Sequence, residues 1–141
     1  IRPIGGLSSS SRRPTPKAQW PQAIHQTLRG LVDFLAGDPI DLATIECHLN
    51  LTNQTPFRRR VYRALRNDVS RGQTVTYGEL ADRIWVPRGG RAVGTAMAGN
   101  PIPLLIPCHR VVAKHGLGGF MGSRDGLPLD IKRWLLRHEG I

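Results

Sequence analysis

From Pro21 to Leu35 the apolar residues Ile24, Leu28, Leu31, Val32 and Leu35 recur at spacings of three and four. This predicts an amphipathic helix, stopped by Gly37, Asp38 and Pro39. From Ile40 to Leu51 the pattern changes. Leu42, Ile45, Cys47, Leu49 and Leu51 end in strict alternation, which predicts a strand. Thr55 and Pro56 then open a second helix as N-cap and first-turn proline, with Phe57, Val61, Leu65 and Val69 on its apolar face. Thr76 with Glu79 three positions on forms a capping box at the head of a short helix. Val86-Pro-Arg-Gly-Gly breaks that helix, and a further one begins at Arg91. Two short helices across a Gly-bearing turn read as helix-turn-helix.

The second of these helices is built from Ala92, Gly94, Ala96, Ala98 and Gly99, too small to fill much core. Such a face permits close approach, either by a neighbouring helix or by the wall of a nucleic-acid groove. Charge is compatible with the groove without deciding for it. Residues 1–56 hold five basic and four acidic residues, whereas residues 57–141 hold fifteen basic and six acidic, so almost all of the net +10 lies in the second part. Arg58, Arg59, Arg60, Arg63 and Arg66 line the second predicted helix. A basic lobe beside a neutral one suits a polyanion, most simply DNA; a solvated solubility surface is the plainer alternative.

The 141 residues suffice for one compact domain or two small lobes, and 40% hydrophobic content provides a core. No apolar run reaches the roughly 20 residues of a membrane span, and no signal-peptide pattern opens the chain. Its first residue is Ile rather than Met, so the expectation is a start that is either trimmed or incompletely recorded. The Gly, Ser and Pro-rich stretch through Lys17 reads as a flexible lead-in with one short strand at its start. Two cysteines, Cys47 and Cys108, make no disulfide framework, and Cys47-His48 is too little for zinc, so the expectation is a reduced intracellular protein without metal.

Candidate chemistry lies in residues 101–112, where a proline-rich apolar turn leads into adjacent Cys108 and His109. Thiolate is the reactive form of cysteine; an imidazole can take the thiol proton, and Arg110 adds positive potential. The imidazole needs a holder for its other nitrogen, and Glu139 in a C-terminal helix is the candidate carboxylate.

Asn100-Pro-Ile-Pro-Leu-Leu-Ile-Pro-Cys-His-Arg-Val-Val resembles the active-site signature of the O6-alkylguanine-DNA alkyltransferases. The similarity extends back through Gln73-Thr-Val-Thr-Tyr-Gly-Glu-Leu-Ala and Arg91-Ala-Val-Gly, and forward to Lys132-Arg-Trp-Leu-Leu-Arg-His-Glu-Gly. It covers residues 55–141 in order. The resemblance implies an α/β fold, with a small, shortened ribonuclease-H-like N-terminal lobe (residues 1–54) and a mostly helical helix-turn-helix lobe (residues 55–141) carrying the acceptor cysteine. It implies a monomeric, cofactor-free DNA repair protein of the cytoplasm and nucleoid, or of the nucleus. Such a protein binds duplex DNA through the minor groove, largely independent of sequence, and takes the alkyl group of O6-alkylguanine, or of O4-alkylthymine, irreversibly onto Cys108.

Residue by residue, the resemblance implies that His109, oriented by Glu139, takes the thiol proton through a water. Tyr77 protonates the departing guanine at N3, and Asn100 braces the active-site turn. Arg91 enters the gap left by the flipped nucleotide. Ala92, Gly94 and Thr95 fit the narrow groove, and Thr76, Arg58 and Lys114 complete the DNA-contacting set. Met97, Pro103, Val111, Gly119, Phe120, Met121 and Lys132 would form the pocket. Two departures stand out: Phe120 occupies the place of the family's pocket tyrosine in a lengthened loop, and the N-terminal lobe has few recognisable strands. Three other readings fit parts of the sequence: an alkyltransferase-like lesion binder without transfer, a helix-turn-helix regulator, and a Cys-His hydrolase.

Overall fold

A computed structural model describes residues 21–47 and 49–141. The predicted lead-in and its strand lie outside these residues, as does His48. The chain is a mixed α/β fold dominated by helices. In order it holds α1 (Gln22–Ala36), a 3-10 turn (Leu42–Thr44), α2 (Pro56–Asp68), β1 (Val75–Thr76), α3 (Tyr77–Arg83), α4 (Gly90–Ala98), a second 3-10 turn (Cys108–Arg110), β2 (Val111–Val112) and α5 (Gly126–His138).

The first helix forms as its periodicity predicts, but among the described residues only Leu31 of its apolar face packs against the core. Ile24, Leu28, Val32 and Leu35 are exposed, and Phe34 is the side chain that enters the core, edge-on to the His138 ring at 4.8 Å. The described residues therefore bury this helix mainly at its C-terminal end.

The strand expected over Ile40–Leu51 does not form. Asp41 accepts the amide of Ala43 and caps the Leu42–Thr44 turn. The Arg66 guanidinium then collects the carbonyls of Ala43 and Ile45 at 2.8 and 3.0 Å. Backbone groups that would have paired with a neighbouring strand are satisfied by a turn and an arginine instead, and the alternating apolar residues still pack inward.

From residue 55 onward the expected elements appear. Thr55 caps α2, whose Val61, Tyr62 and Leu65 are fully buried. The capping box at Thr76 and Glu79 opens α3 with both reciprocal hydrogen bonds in place. The turn to α4 has positive φ at Trp85 and Arg88, and Arg60 reaches across to the Ile84 carbonyl. In α4, Val93, Ala96 and Met97 face the core, while Arg91, Ala92, Thr95 and Ala98 are exposed. Tyr62 donates its hydroxyl to the Ala96 carbonyl at 2.8 Å and so ties α4 to α2.

Two short parallel strands pair Val75 with Val111 and Thr76 with Val112. They join the head of the helix pair to the residues that follow the cysteine turn. One core runs through the whole described chain, from Phe34 and Leu42 through Val61, Leu80 and Val93 to Ile106, Val111 and Leu135. Among the described residues no helix is long and apolar enough to cross a membrane, and no three His, Cys, Asp or Glu side chains cluster to hold a metal.

Candidate active site

Cys108 begins a 3-10 turn directly after Pro107 and is buried. Asn100 braces the preceding loop from the end of α4: its Nδ2 donates to the Ile106 carbonyl at 2.8 Å and its Oδ1 accepts the Ile102 amide at 3.0 Å. Burial pushes the Cys108 thiol up from its ordinary range. The Asn100 side chain, the Lys132 ammonium and the amides of Cys108 and His109 pull in the opposite direction.

His109 is 1% exposed, and its Nε2 lies 2.9 Å from Glu139 Oε1 at the end of α5. A carboxylate accepts, so Nε2 carries the hydrogen and Nδ1 keeps its lone pair in the neutral ring. That Nδ1 is buried and has no hydrogen-bond partner among the described residues. Burial alone would raise the Glu139 carboxyl, but the hydrogen bonds and charges of His109 and Arg110 hold it down at about 2.

Arg110 departs from the expectation of a cation lending free positive potential to the thiol. It is fully buried and its guanidinium is spent: Nε and Nη2 donate to the two Glu139 oxygens at 3.0 and 2.9 Å, Nη2 also to Asp41 Oδ1 at 2.9 Å, and Nη1 to the Val69 carbonyl at 2.9 Å. Burial opposes its charge, but Glu139 and Asp41 more than restore it. The positive charge that acts on the thiol is that of Lys132.

A cleft of about 1080 Å³ opens beside Cys108. Of the residues expected at the site, Tyr77, Arg91, Gly94, Thr95, Met97, Gly119, Phe120 and Met121 line it together with the cysteine. Pro103, Val111 and Lys132, expected as pocket residues, do not. Pro103 belongs to the loop braced by Asn100, and Val111 is in β2 with its side chain in the core. Lys132 lies behind the wall, fully buried, and donates to the carbonyls of Val111 and Leu117 at 2.6 Å and Gly119 at 2.9 Å. Burial lowers its ionisation to about 8.

Tyr77 reaches over the cleft from the head of α3, with its hydroxyl 3.4 Å from the Gly119 carbonyl. Burial raises the phenol above its ordinary value, so it keeps its proton at neutral pH. The opposite wall is the loop Leu117–Ser123. Gly118 has φ +72°, and a Cβ there would stand 2.9 Å from Tyr77 Cε2, so only glycine fits under the ring. Phe120 is buried, and its amide and carbonyl pair with Ser123 across a tight turn whose central residues, Met121 and Gly122, have φ +50° and +78°. The ring that replaces the expected tyrosine therefore belongs to the wall, and the exposed residue at the tip is Met121.

The remaining expected contacts, Thr76, Ala92, Lys114 and Arg58, do not line this cleft. Thr76 uses its hydroxyl to cap α3, and Ala92 is exposed on α4. Lys114 is exposed in the turn after β2. Arg58 is half-buried and folds over Gly99 at the end of α4, where a Cβ would meet its Nη1 at 2.7 Å. Sequence reasoning missed Asp41, the partner of Arg110, and the cleft residues Ala113, Leu117, Arg124 and Arg133. No local motif marks any of these, and nothing in the sequence signals that Arg110 is buried.

Residues 56–141 match the family described as 6-O-methylguanine DNA methyltransferase, DNA binding domain. The methylated-DNA–protein-cysteine methyltransferase of Salmonella typhimurium is 43% identical over 111 residues, covering 78% of this chain and 60% of that protein. The mouse protein of the same name is 45% identical over 94 residues, covering 67% of this chain and 43% of the relative. The chain thus spans about 60% of the length of the bacterial relative. Among solved structures, Mycobacterium tuberculosis OGT in complex with DNA superposes with a TM-score of 0.69 at 36% identity, over 81% of this chain and 64% of that one. The O6-methylguanine-DNA methyltransferase of Pyrococcus kodakaraensis gives 0.67 at 35% identity, over 81% and 62%.

Proposed function

Because this chain belongs to the 6-O-methylguanine DNA methyltransferase family, we propose that it is a DNA repair protein that moves the alkyl group of O6-alkylguanine, or of O4-alkylthymine, onto its own Cys108. The observation that carries this reading is the buried series Cys108, His109 and Glu139, of which Cys108 lines a cleft of about 1080 Å³. In this reading residues 55–141 form the DNA-binding and acceptor domain, with residues 1–54 as the N-terminal lobe.

The target carbon of a base-paired guanine is out of reach, so the nucleotide rotates out of the stack into the cleft. Arg91, at the mouth and the start of α4, fills the gap it leaves. The exposed face of α4, with Ala92 and Thr95 beside Gly94, is shallow enough to enter the minor groove, and Arg58 and Lys114 serve the phosphates. Few of these contacts read base identity, as repair at any sequence requires.

The thiol proton passes to His109 Nδ1 across one water, while Glu139 stabilises the imidazolium that results. The thiolate sulfur then attacks the alkyl carbon; the C–S bond forms as the C–O6 bond breaks, and the electron pair leaves with the guanine. Tyr77 gives its proton to guanine N3, so the leaving group departs neutral. A thioether has no hydrolysable bond of comparable lability, so each molecule acts once and needs no cofactor. The protein works as a monomer.

The test is an intact mass spectrum after mixing the protein with duplex DNA holding one O6-methylguanine. The expected result is a gain of one methyl group, mapped to Cys108, saturating at one per molecule and absent in Cys108→Ser. An unchanged mass with tight lesion binding would replace transfer by recognition alone, and an unchanged mass without lesion preference would leave a basic DNA-binding domain.

A further inference from the structure

The groups around the proton acceptor come from six separate parts of the chain. Around the turn lie Glu139, Lys132 and His138 from α5, Arg110 and Cys108 beside His109 itself, Tyr62 from α2, Tyr77 from α3, Arg71 from the turn after α2, and Asp41 from the segment before it. Asp41 is outside residues 56–141, which carry the family match. Its Oδ1 accepts Arg110 Nη2 at 2.9 Å and its Oδ2 the Arg71 amide at 2.8 Å. The same Nη2 also donates to Glu139 Oε1, the oxygen that holds His109.

We propose that Asp41 is a positioning residue for the proton-accepting histidine, offsetting the Arg110 guanidinium so that the Glu139 carboxylate can act on His109. Without Asp41, Arg110 cancels Glu139, and protonating the imidazole would leave a buried cluster carrying one net positive charge. With Asp41, the imidazolium, Glu139, Arg110 and Asp41 sum to zero. On the other side of the transferred proton, the thiolate is matched by Lys132. Each half of the site is therefore neutral in the reactive state, thiolate with imidazolium, and only because a carboxylate from the N-terminal segment reaches the far side of Arg110.

Asp41 also caps the Leu42–Thr44 turn, so a test must separate its charge from its fold. The inference rests on the alkyl-transfer reading, and the experiment tests both. Single-turnover methyl transfer from duplex DNA with one O6-methylguanine is followed across pH for wild type, Asp41→Asn and Asp41→Ser, both of which keep a capping oxygen. At neutral pH the variants should transfer about tenfold more slowly, and the ratio of variant to wild-type rate should return toward one at alkaline pH, where the thiol ionises without help. Asp41→Glu, which keeps the charge, should retain the wild-type pH dependence and supplies the comparison if the neutral variants do not fold. A wild-type chain that takes no methyl group overturns the functional reading and this inference with it. A reactive wild type with variants slowed equally at every pH, or not at all, or with Asp41→Glu shifted like a neutral variant, overturns the inference alone.

Discussion

The Glu139 carboxylate holds His109 Nε2 and Arg110 Nη2 on the same oxygen, both at 2.9 Å, with all three side chains buried. Hydrogen bonds and charge keep this carboxyl at about 2, below its ordinary 4.5. A depressed folded-state value means that the stabilisation is complete above about pH 4.5 and disappears as pH falls toward 2. Urea denaturation should show up to about 3 kcal/mol lost over that interval. Glu139→Gln should be less stable at neutral pH and should lose much of this acid sensitivity; an unchanged slope would mean that other carboxylates carry it.

Lys132 places its ammonium among three carbonyls and behind the cleft wall. Lys132→Met fills similar volume but leaves those carbonyls without a donor. We expect about 3 kcal/mol of destabilisation by chemical denaturation, with slower Cys108 alkylation at neutral pH because the thiolate loses the cation that favours it. A variant as stable and as reactive as wild type would show that the loop needs no pin.

Arg91 is exposed at the mouth of the cleft and at the start of α4. If it occupies the gap left by the flipped nucleotide, Arg91→Ala should slow transfer from a duplex by about tenfold or more while leaving transfer from free O6-methylguanine nearly unchanged. Equal losses on the two substrates, measured by single-turnover rates, would assign it to general electrostatics.

Met121 occupies the first of two left-handed positions in the Phe120–Ser123 turn. Asn tolerates that geometry far better than an unbranched apolar side chain, and Asn-Gly is the preferred pair for such turns. Met121→Asn should therefore stabilise the fold by about 0.5–1 kcal/mol, seen as a rise of a few degrees in Tm. A fall would mean that the exposed thioether makes contacts worth more than the backbone strain.

The sequence was most readable where structure is locally encoded. Thr55 and Pro56, and Thr76 with Glu79, mark helix starts because a cap needs only three or four adjacent residues. Cys108, His109 and Glu139 were legible through chemistry and family resemblance, although no local pattern encodes the 2.9 Å between the last two. The misreadings have one physical root, the tertiary partner. Leu42 to Leu51 alternate like a strand, yet Asp41 and Arg66 claim the backbone groups a strand would have needed. Arg110 looked like a free cation and is a buried hub, because its two counter-charges lie far off along the chain. Likewise Pro103 and Val111 are near the cysteine in sequence but turn away from the cleft.

Arg110 draws on partners 69 and 29 positions away in sequence. Closing loops of that length is among the slowest and most cooperative parts of folding. In the proposed function, the proton acceptor beside Cys108 is organised only once both ends have arrived. Under the proposed chemistry its alkylation is final, so an early encounter with any electrophile would consume the molecule. Under the proposed function, fast transfer from a lesion therefore belongs to the chain in which both distant segments have docked on Arg110, while burial of Cys108 in that folded state keeps the thiol from other electrophiles.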